Sequence, residues 1–162
     1  MSRYDNEIRV TQSVLDRLID FDPRVSTEPP KSHATSLAEL KQSVRRDLEW
    51  LLNTRFFYDP GDGIGLEETI KSVAFYGLPD FTGVSAKSHI EQSRMTQALE
   101  AALKYFEPRF INVKVSLEPI SNLDRMLRFR IEASLDIEPA PEPVVFDTVL
   151  QMGSGNFAVK EA

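Results

Sequence analysis

The sequence predicts an α+β domain, with N-terminal helices packed on one face of a small, mainly antiparallel C-terminal β-sheet. Apolar residues recur at helical spacing up to Phe106 and with a period of two after Pro108. Helices come first and strands later, which segregates the two classes instead of alternating them. The chain has 162 residues, 41% of them hydrophobic, which suits one core and is short for two. Residues 1–162 are therefore read as a single domain, with a loop at 22–35 and a less regular tail at 138–162.

The first element is a two-turn amphipathic helix. Ser13 caps Val14–Phe21, and Val14, Leu15, Leu18 and Ile19 share one side. Pro23 stops it. Residues 22–35 carry three prolines and several Ser/Thr, which reads as an exposed loop. Ser36 with Glu39 forms a capping box for the second helix. Leu37, Leu40, Val44, Leu48, Leu51 and Leu52 make its apolar stripe. Arg45, Arg46, Asp47 and Glu49 fall mostly off that stripe, Trp50 sits at its edge, and the helix ends near Asn53.

RFFYDPGDGIG at 55–65 is a glycine-rich turn region. A short helix is expected over Thr69–Tyr76, and YGLPDFTG at 76–83 reads as a turn. Ser85 and Ser88 compete as the cap of a third helix, Ser88 with Glu91 as a capping box. Its stripe is Ile90, Met95, Leu99, Ala102, Leu103 and Phe106. Ile111, Val113, Val115 and Leu117 then alternate with polar residues as a half-buried strand. Leu127, Phe129, Ile131, Ala133, Leu135 and Ile137 form the inward set of a longer strand. EPAPEP at 138–143 is a stiff spacer. Strands follow at Val144–Leu150 and Asn156–Lys160, with a turn at Gly153 and Gly155. The weak in–out alternation late in the chain places a sheet edge at 144–150 or at its C-terminal neighbour.

Composition excludes several functions. There is no cysteine, so disulfides, thiolate nucleophiles and cysteine-ligated zinc are ruled out. The only histidines, His33 and His89, have no second histidine at i+3 or i+4. No metal or cofactor is expected. Asp59, Asp62 and Glu67–Glu68 around DPGDGIG lack the alternation of a calcium loop, and those glycines lack the lysine of a phosphate loop. No Gly-x-Ser-x-Gly elbow and no distinctive carboxylate pair suggest an enzyme. A net charge of −6 argues against nucleic acid. The basic clusters Lys41, Arg45, Arg46, Arg55 and Arg125, Arg128, Arg130 have acidic neighbours and read as mixed faces or protein interfaces. The N-terminal MSRYDNEIRV has no apolar signal region, and no run approaches a membrane span. A cytoplasmic location without membrane insertion is expected.

The most informative segment is Tyr105–Phe110, where a helix gives way to a strand. Pro108 fixes its own φ and moves Glu107 out of helical geometry. Glu107 and Arg109 then project to the same side of a rigid corner. Such a pair either caps and neutralises the junction or is gripped by a partner.

Four separated segments occur in order: SVLDRLID at 13–20, SVRRDLEWLLNTR at 43–55, YGLPDF at 76–81 and FEPRF at 106–110. With the helices-then-strands layout, they resemble the tailed-phage baseplate wedge family, sometimes labelled lysozyme-like. That family includes the type VI secretion baseplate subunit TssE. The resemblance spans about residues 8–137. It implies a non-enzymatic structural subunit of a contractile baseplate. It implies TssF and TssG as wedge partners, TssK as a further candidate, and a link to the TssB–TssC sheath. It implies that Glu107, Pro108 and Arg109 are the protein-binding motif. The lysozyme label is not matched by any identifiable carboxylate pair, and residues 138–162 do not map onto the family pattern. The competing function is a regulatory protein-binding module on the same fold, similar to anti-adaptors that protect a stress sigma factor.

Overall fold

A computed structural model describes residues 10, 12–19, 23–26, 32–56, 67–81, 88–118 and 126–161. Helices α1 (Val14–Leu18), α2 (His33–Asn53), α3 (Glu67–Ile70) and α4 (His89–Phe106) come first, with a 3₁₀ turn at Val73–Phe75 between the last two. Strands β1 (Phe110–Leu117), β2 (Met126–Leu135), β3 (Glu142–Gln151) and β4 (Phe157–Glu161) follow. All neighbouring strands are antiparallel, in the spatial order β1-β2-β3-β4. The chain is α+β, as its periodicity predicts.

The core lies between the helices and one sheet face. Leu127, Phe129, Ile131, Ala133 and Leu135 of β2 point inward, as do Val144, Phe146, Thr148 and Leu150 of β3. Against them lie Leu40, Val44, Leu48, Leu51 and Leu52 of α2, and Met95, Leu99, Ala102 and Leu103 of α4. α2 packs over β4 and α4 over β1. The buried hydroxyl on the inward face of β3 is satisfied: Thr148 Oγ1 donates to the Phe129 carbonyl at 3.1 Å.

Several boundaries differ from expectation. α2 begins at His33, not at Ser36, so 33–35 leave the loop for the helix. Ser32 is the cap, its Oγ accepting from the Thr35 amide at 3.2 Å. Ser36 is buried within the first turn, and Glu39 instead accepts from the Gln12 side chain. α4 is capped by Ser88, whose Oγ accepts from the Glu91 amide at 3.4 Å. Ser85 lies outside the described residues, as do 57–65 of the glycine-rich turn. Ile90 and Val73 are exposed, because each sits at the first turn of its element and beyond the reach of the core. The helix expected over Thr69–Tyr76 is split into α3 and the 3₁₀ turn.

β1 shows the largest difference. Ile111 was expected inward, yet Phe110 is the buried residue, followed by Val115. Ile111 pairs with Ser134 but Lys114 pairs with Glu132, so two β1 residues face one on β2. Asn112 absorbs the extra residue at φ 55°. One inserted residue reverses every side chain beyond it, which is why Phe110 and Val115 can both face the core.

Gly77 is a true conformational requirement. It sits at φ 117°, and a Cβ there would lie 2.5 Å from the Thr54 carbonyl oxygen. The close approach lets Leu78 N–H donate to that oxygen at 2.9 Å, and Phe56 N–H to the Leu78 carbonyl at 3.2 Å. YGLPDF is thereby stitched to the end of α2.

Candidate functional site

The Glu107–Pro108–Arg109 corner follows from the end of α4. Glu107 is its C-cap, and its N–H still donates to the Leu103 carbonyl at 3.0 Å. Pro108 is exposed on the bend, and Phe110 enters the sheet. The Glu107 carboxylate turns inward and is only 4% exposed. Arg109 grips it as a fork: Nε donates to Oε1 at 2.6 Å and Nη2 to Oε2 at 2.5 Å. The Arg109 backbone N–H adds a third bond to Oε1 at 3.2 Å. The pair does meet across the proline, but Glu107 is satisfied by its own chain.

Arg109 reaches further, into α2. Its Nη2 donates to Asp47 Oδ2 at 2.8 Å, and its Nη1 approaches Ser43 Oγ at 3.5 Å. Asp47 Oδ1 accepts from Arg46 Nη2 at 2.9 Å and from Nε at 3.1 Å. The same Nη2 donates to Asp16 Oδ1 at 2.8 Å, across to α1. Ser13 and Ser43 each donate a hydroxyl to Asp16 Oδ2 at 2.5 Å. The result is an alternating chain of charges, Asp16–Arg46–Asp47–Arg109–Glu107, running from α1 through α2 to the α4–β1 corner.

The environment keeps Asp16 and Arg109 ionised. Partial burial pushes the Asp16 carboxyl up, but hydrogen bonds from Ser13, Ser43 and Arg46, with the Arg46 charge, outweigh it and hold the pKa at about 2. Burial works against the Arg109 charge, yet Glu107 and Asp47 raise its pKa well above the usual guanidinium range. Tyr76 borders the same site. Burial, then the charges of Asp47 and Glu107, push its phenol up. Its ring meets Phe106 edge-on at 5.3 Å.

All four segments that carry the family resemblance thus converge here. SVLDRLID supplies Ser13 and Asp16, SVRRDLEWLLNTR supplies Ser43, Arg46 and Asp47, YGLPDF supplies Tyr76, and FEPRF supplies Glu107 and Arg109. Sequence reasoning assigned Arg46 and Asp47 to a mixed solvated face and gave Asp16 and Ser43 no role. The signal of the α2 residues was present only as Ser43, Arg46 and Asp47 at i, i+3 and i+4, which share one side of the helix.

The sheet has two edges, β1 and β4, and β3 is central. Of the two positions expected for the edge, the C-terminal neighbour holds it. Each edge is covered at one point by a helix side chain. Asn53, the last residue of α2, donates from Nδ2 to the Phe157 carbonyl and accepts from the Phe157 N–H, both at 2.9 Å. Its amide acts as one residue of a missing fifth strand. On β1, Glu100 of α4 accepts from the Val115 N–H at 3.0 Å. Arg55, read as part of a basic patch, is instead structural. Nη1 donates to the Leu52 carbonyl at 2.6 Å, Nη2 to that of Gly155, and the guanidinium lies 5.8 Å from the Phe157 ring centre. Of the other basic cluster, Arg130 is paired with Glu118 and Asp147.

Among the described residues no three acidic or histidine side chains gather as a metal site. Among them, too, no helix is long and apolar enough to cross a membrane. A comparison with curated proteins found no match. The family model of baseplate wedge protein gp25 matches residues 38–140, more than half of the chain. That span starts within α2, includes Tyr76 and the Glu107–Arg109 corner, and runs through β2. The chain belongs to the gp25 baseplate wedge family, the family of the type VI secretion subunit TssE and of phage gp25.

Proposed function

We propose that this protein is a structural, non-enzymatic subunit of a type VI secretion contractile baseplate, joining the TssF–TssG wedge to the TssB–TssC sheath. TssK is a further proposed contact, and the cytoplasm the proposed location. Family membership supports the baseplate role. The observation that carries the site is the charge chain that locks Glu107, Pro108 and Arg109 to α2 and α1. It fixes a proline corner that stands exposed between two buried flanks, Glu107 and Phe110. A pre-ordered corner loses little entropy on association, which favours a permanent assembly contact over a transient one.

Glu107, Pro108 and Arg109 are accordingly the proposed protein-binding residues, with a division of labour. Glu107 is the internal anchor, Pro108 the exposed contact, and Arg109 the link that keeps 25% of its side chain open to a partner. The sheet edge opposite β1 offers a second contact. Beyond Phe157, the β4 residues Val159 and Glu161 follow the same alternation and turn their backbone groups away from β3. An added strand from a sheath subunit would pair there.

The experiment is co-purification of the full chain with TssF and TssG, and sheath polymerisation by TssB–TssC with and without it. The proposal expects a stable ternary wedge and a sheath that depends on β4. No capture of TssF or TssG, with turnover of cell walls instead, would refute it.

A further inference from the structure

α1 is held by its polar side. Val14, Leu15, Leu18 and Ile19 face outward, Val14 and Leu18 at 73% and 76% exposure, and none of its residues is buried. A core-packed amphipathic helix would do the reverse. Five residues are too few for a helix to persist without a partner. The attachments of α1 to the rest of the chain are polar: Asp16 to Ser43 and Arg46, and, just before the helix, Gln12 to Glu39. Val10 is buried in the core and tethers the segment nearby.

What Asp16 fills has the features of a receptor for one carboxylate. Each oxygen has its own donors: Oδ1 takes Arg46, and Oδ2 takes the Ser43 hydroxyl. Arg109 stands behind Ser43 and ties the place to the Glu107 corner. Without Asp16, the charges of Arg46 and Arg109 balance those of Asp47 and Glu107. A monoanion leaves the cluster at one net negative charge, whereas a dianion such as phosphate would leave it at two and meet more repulsion from the flanking carboxylates.

We infer that Ser43 and Arg46, with Arg109 behind Ser43, form a carboxylate-binding site, that Asp16 occupies it in the free chain, and that an acidic side chain of the assembly partner takes its place. This deepens the proposed function and rests on it for the identity of the partner. The tethered Asp16 competes intramolecularly, with an effective concentration on the order of millimolar. It lowers the apparent affinity for the partner by the fraction of chains that are open.

Two arms test it. In the first, Asp16→Asn in the full chain, checked for a native circular dichroism spectrum, is titrated with TssF–TssG. The expected result is binding about tenfold tighter than wild type. That gain is expected to vanish when Ser43→Ala or Arg46→Ala is added, whichever folds. Unchanged or weaker binding by Asp16→Asn, or a gain that survives the second substitution, overturns the inference. In the second arm, a synthetic peptide of residues 10–20 is titrated into full-length Asp16→Asn and followed by NMR. Signals of Ser43, Arg46 and Arg109 should shift with the native peptide and stay still with one carrying Asn for its aspartate. Shifts with both peptides, or with neither, overturn the site. If the wild-type chain fails to capture TssF–TssG, the proposed function falls and the peptide arm alone decides the site.

Discussion

Arg109 carries two duties, and its substitution separates them poorly unless the replacement is chosen with care. Truncation to alanine strands the Glu107 carboxylate at 4% exposure with no side-chain partner among the described residues. Breaking a fully buried pair costs about 3–5 kcal/mol. Arg109 is partly open, so Arg109→Ala should cost about 2–3 kcal/mol in chemical denaturation. An outcome within 0.5 kcal/mol of wild type, roughly the spread of neutral surface substitutions, would mean the fork adds no stability. Of the two readings of the pair, capping of the junction and grip by a partner, the inward carboxylate shows that the first holds at least in part. Asp16 gives a pH test. Its pKa falls from an ordinary 3.8 to about 2 on folding, so its stabilisation is present above about pH 4 and lost as the pH falls through about 2. The stability gap between wild type and Asp16→Asn should therefore be largest near neutrality and shrink steadily across that window. A gap that stays constant down to pH 2 would deny Asp16 this role. That the corner would place Glu107 beside Arg109 was legible from one proline and two-residue spacing. That Glu107 would be buried was not, because burial is set by tertiary packing, and the Arg109 that pairs with it is itself held by Asp47, 62 residues away in sequence.

At the scale of elements, the strand pattern of β2 was readable because its period-two alternation runs unbroken over ten residues. β1 was not, since a bulge at Asn112 is a backbone event that leaves no apolar mark. The start of α2 was missed for a related reason: Ser32 and Ser36 are both plausible caps, and tertiary contacts from Gln12 drew Glu39 away from the capping box. Gly77 offers the sharpest test of a local requirement. Gly77→Ala brings a Cβ within 2.5 Å of backbone and asks alanine to adopt φ 117°. The expected loss is at least about 2 kcal/mol, with the Thr54–Leu78 stitch exchanging its amide protons faster. Wild-type stability would show that the 54–56 and 76–78 segments are not held together as described. Asn53→Ala tests the guarded edge of β4. It frees the Phe157 N–H and carbonyl, so the isolated protein should self-associate at lower concentration in light scattering, with little change in secondary structure. An unaltered association threshold would mean that Asn53 only caps α2.

At the scale of the whole molecule, the proline corner leads into one edge strand of the sheet, β1, and β4 forms the other edge. The charge chain binds α1, α2 and the α4–β1 corner, and the sheet presents β4 at its far edge. The proposed joining of two neighbours needs two separated contacts on a rigid body, and the layer of Phe129, Phe146 and the α2 stripe would supply that rigidity. Composition could show that chemistry was improbable, but could not show assembly. The ordered set of four motifs implied it through the family, and their convergence on one network gives a physical reason for their company. The claim most exposed to test is that the Glu107–Pro108–Arg109 corner is a binding element as well as a clamp. Arg109→Lys keeps a positive charge beside Glu107 but loses the planar fork that also reaches Asp47. The decisive measurement is the affinity of this variant, per folded molecule, for TssF–TssG. The account predicts a melting temperature within a few degrees of wild type and a loss of binding of at least about tenfold. Wild-type affinity in a folded Arg109→Lys protein would contradict it and leave the corner as an internal clamp alone.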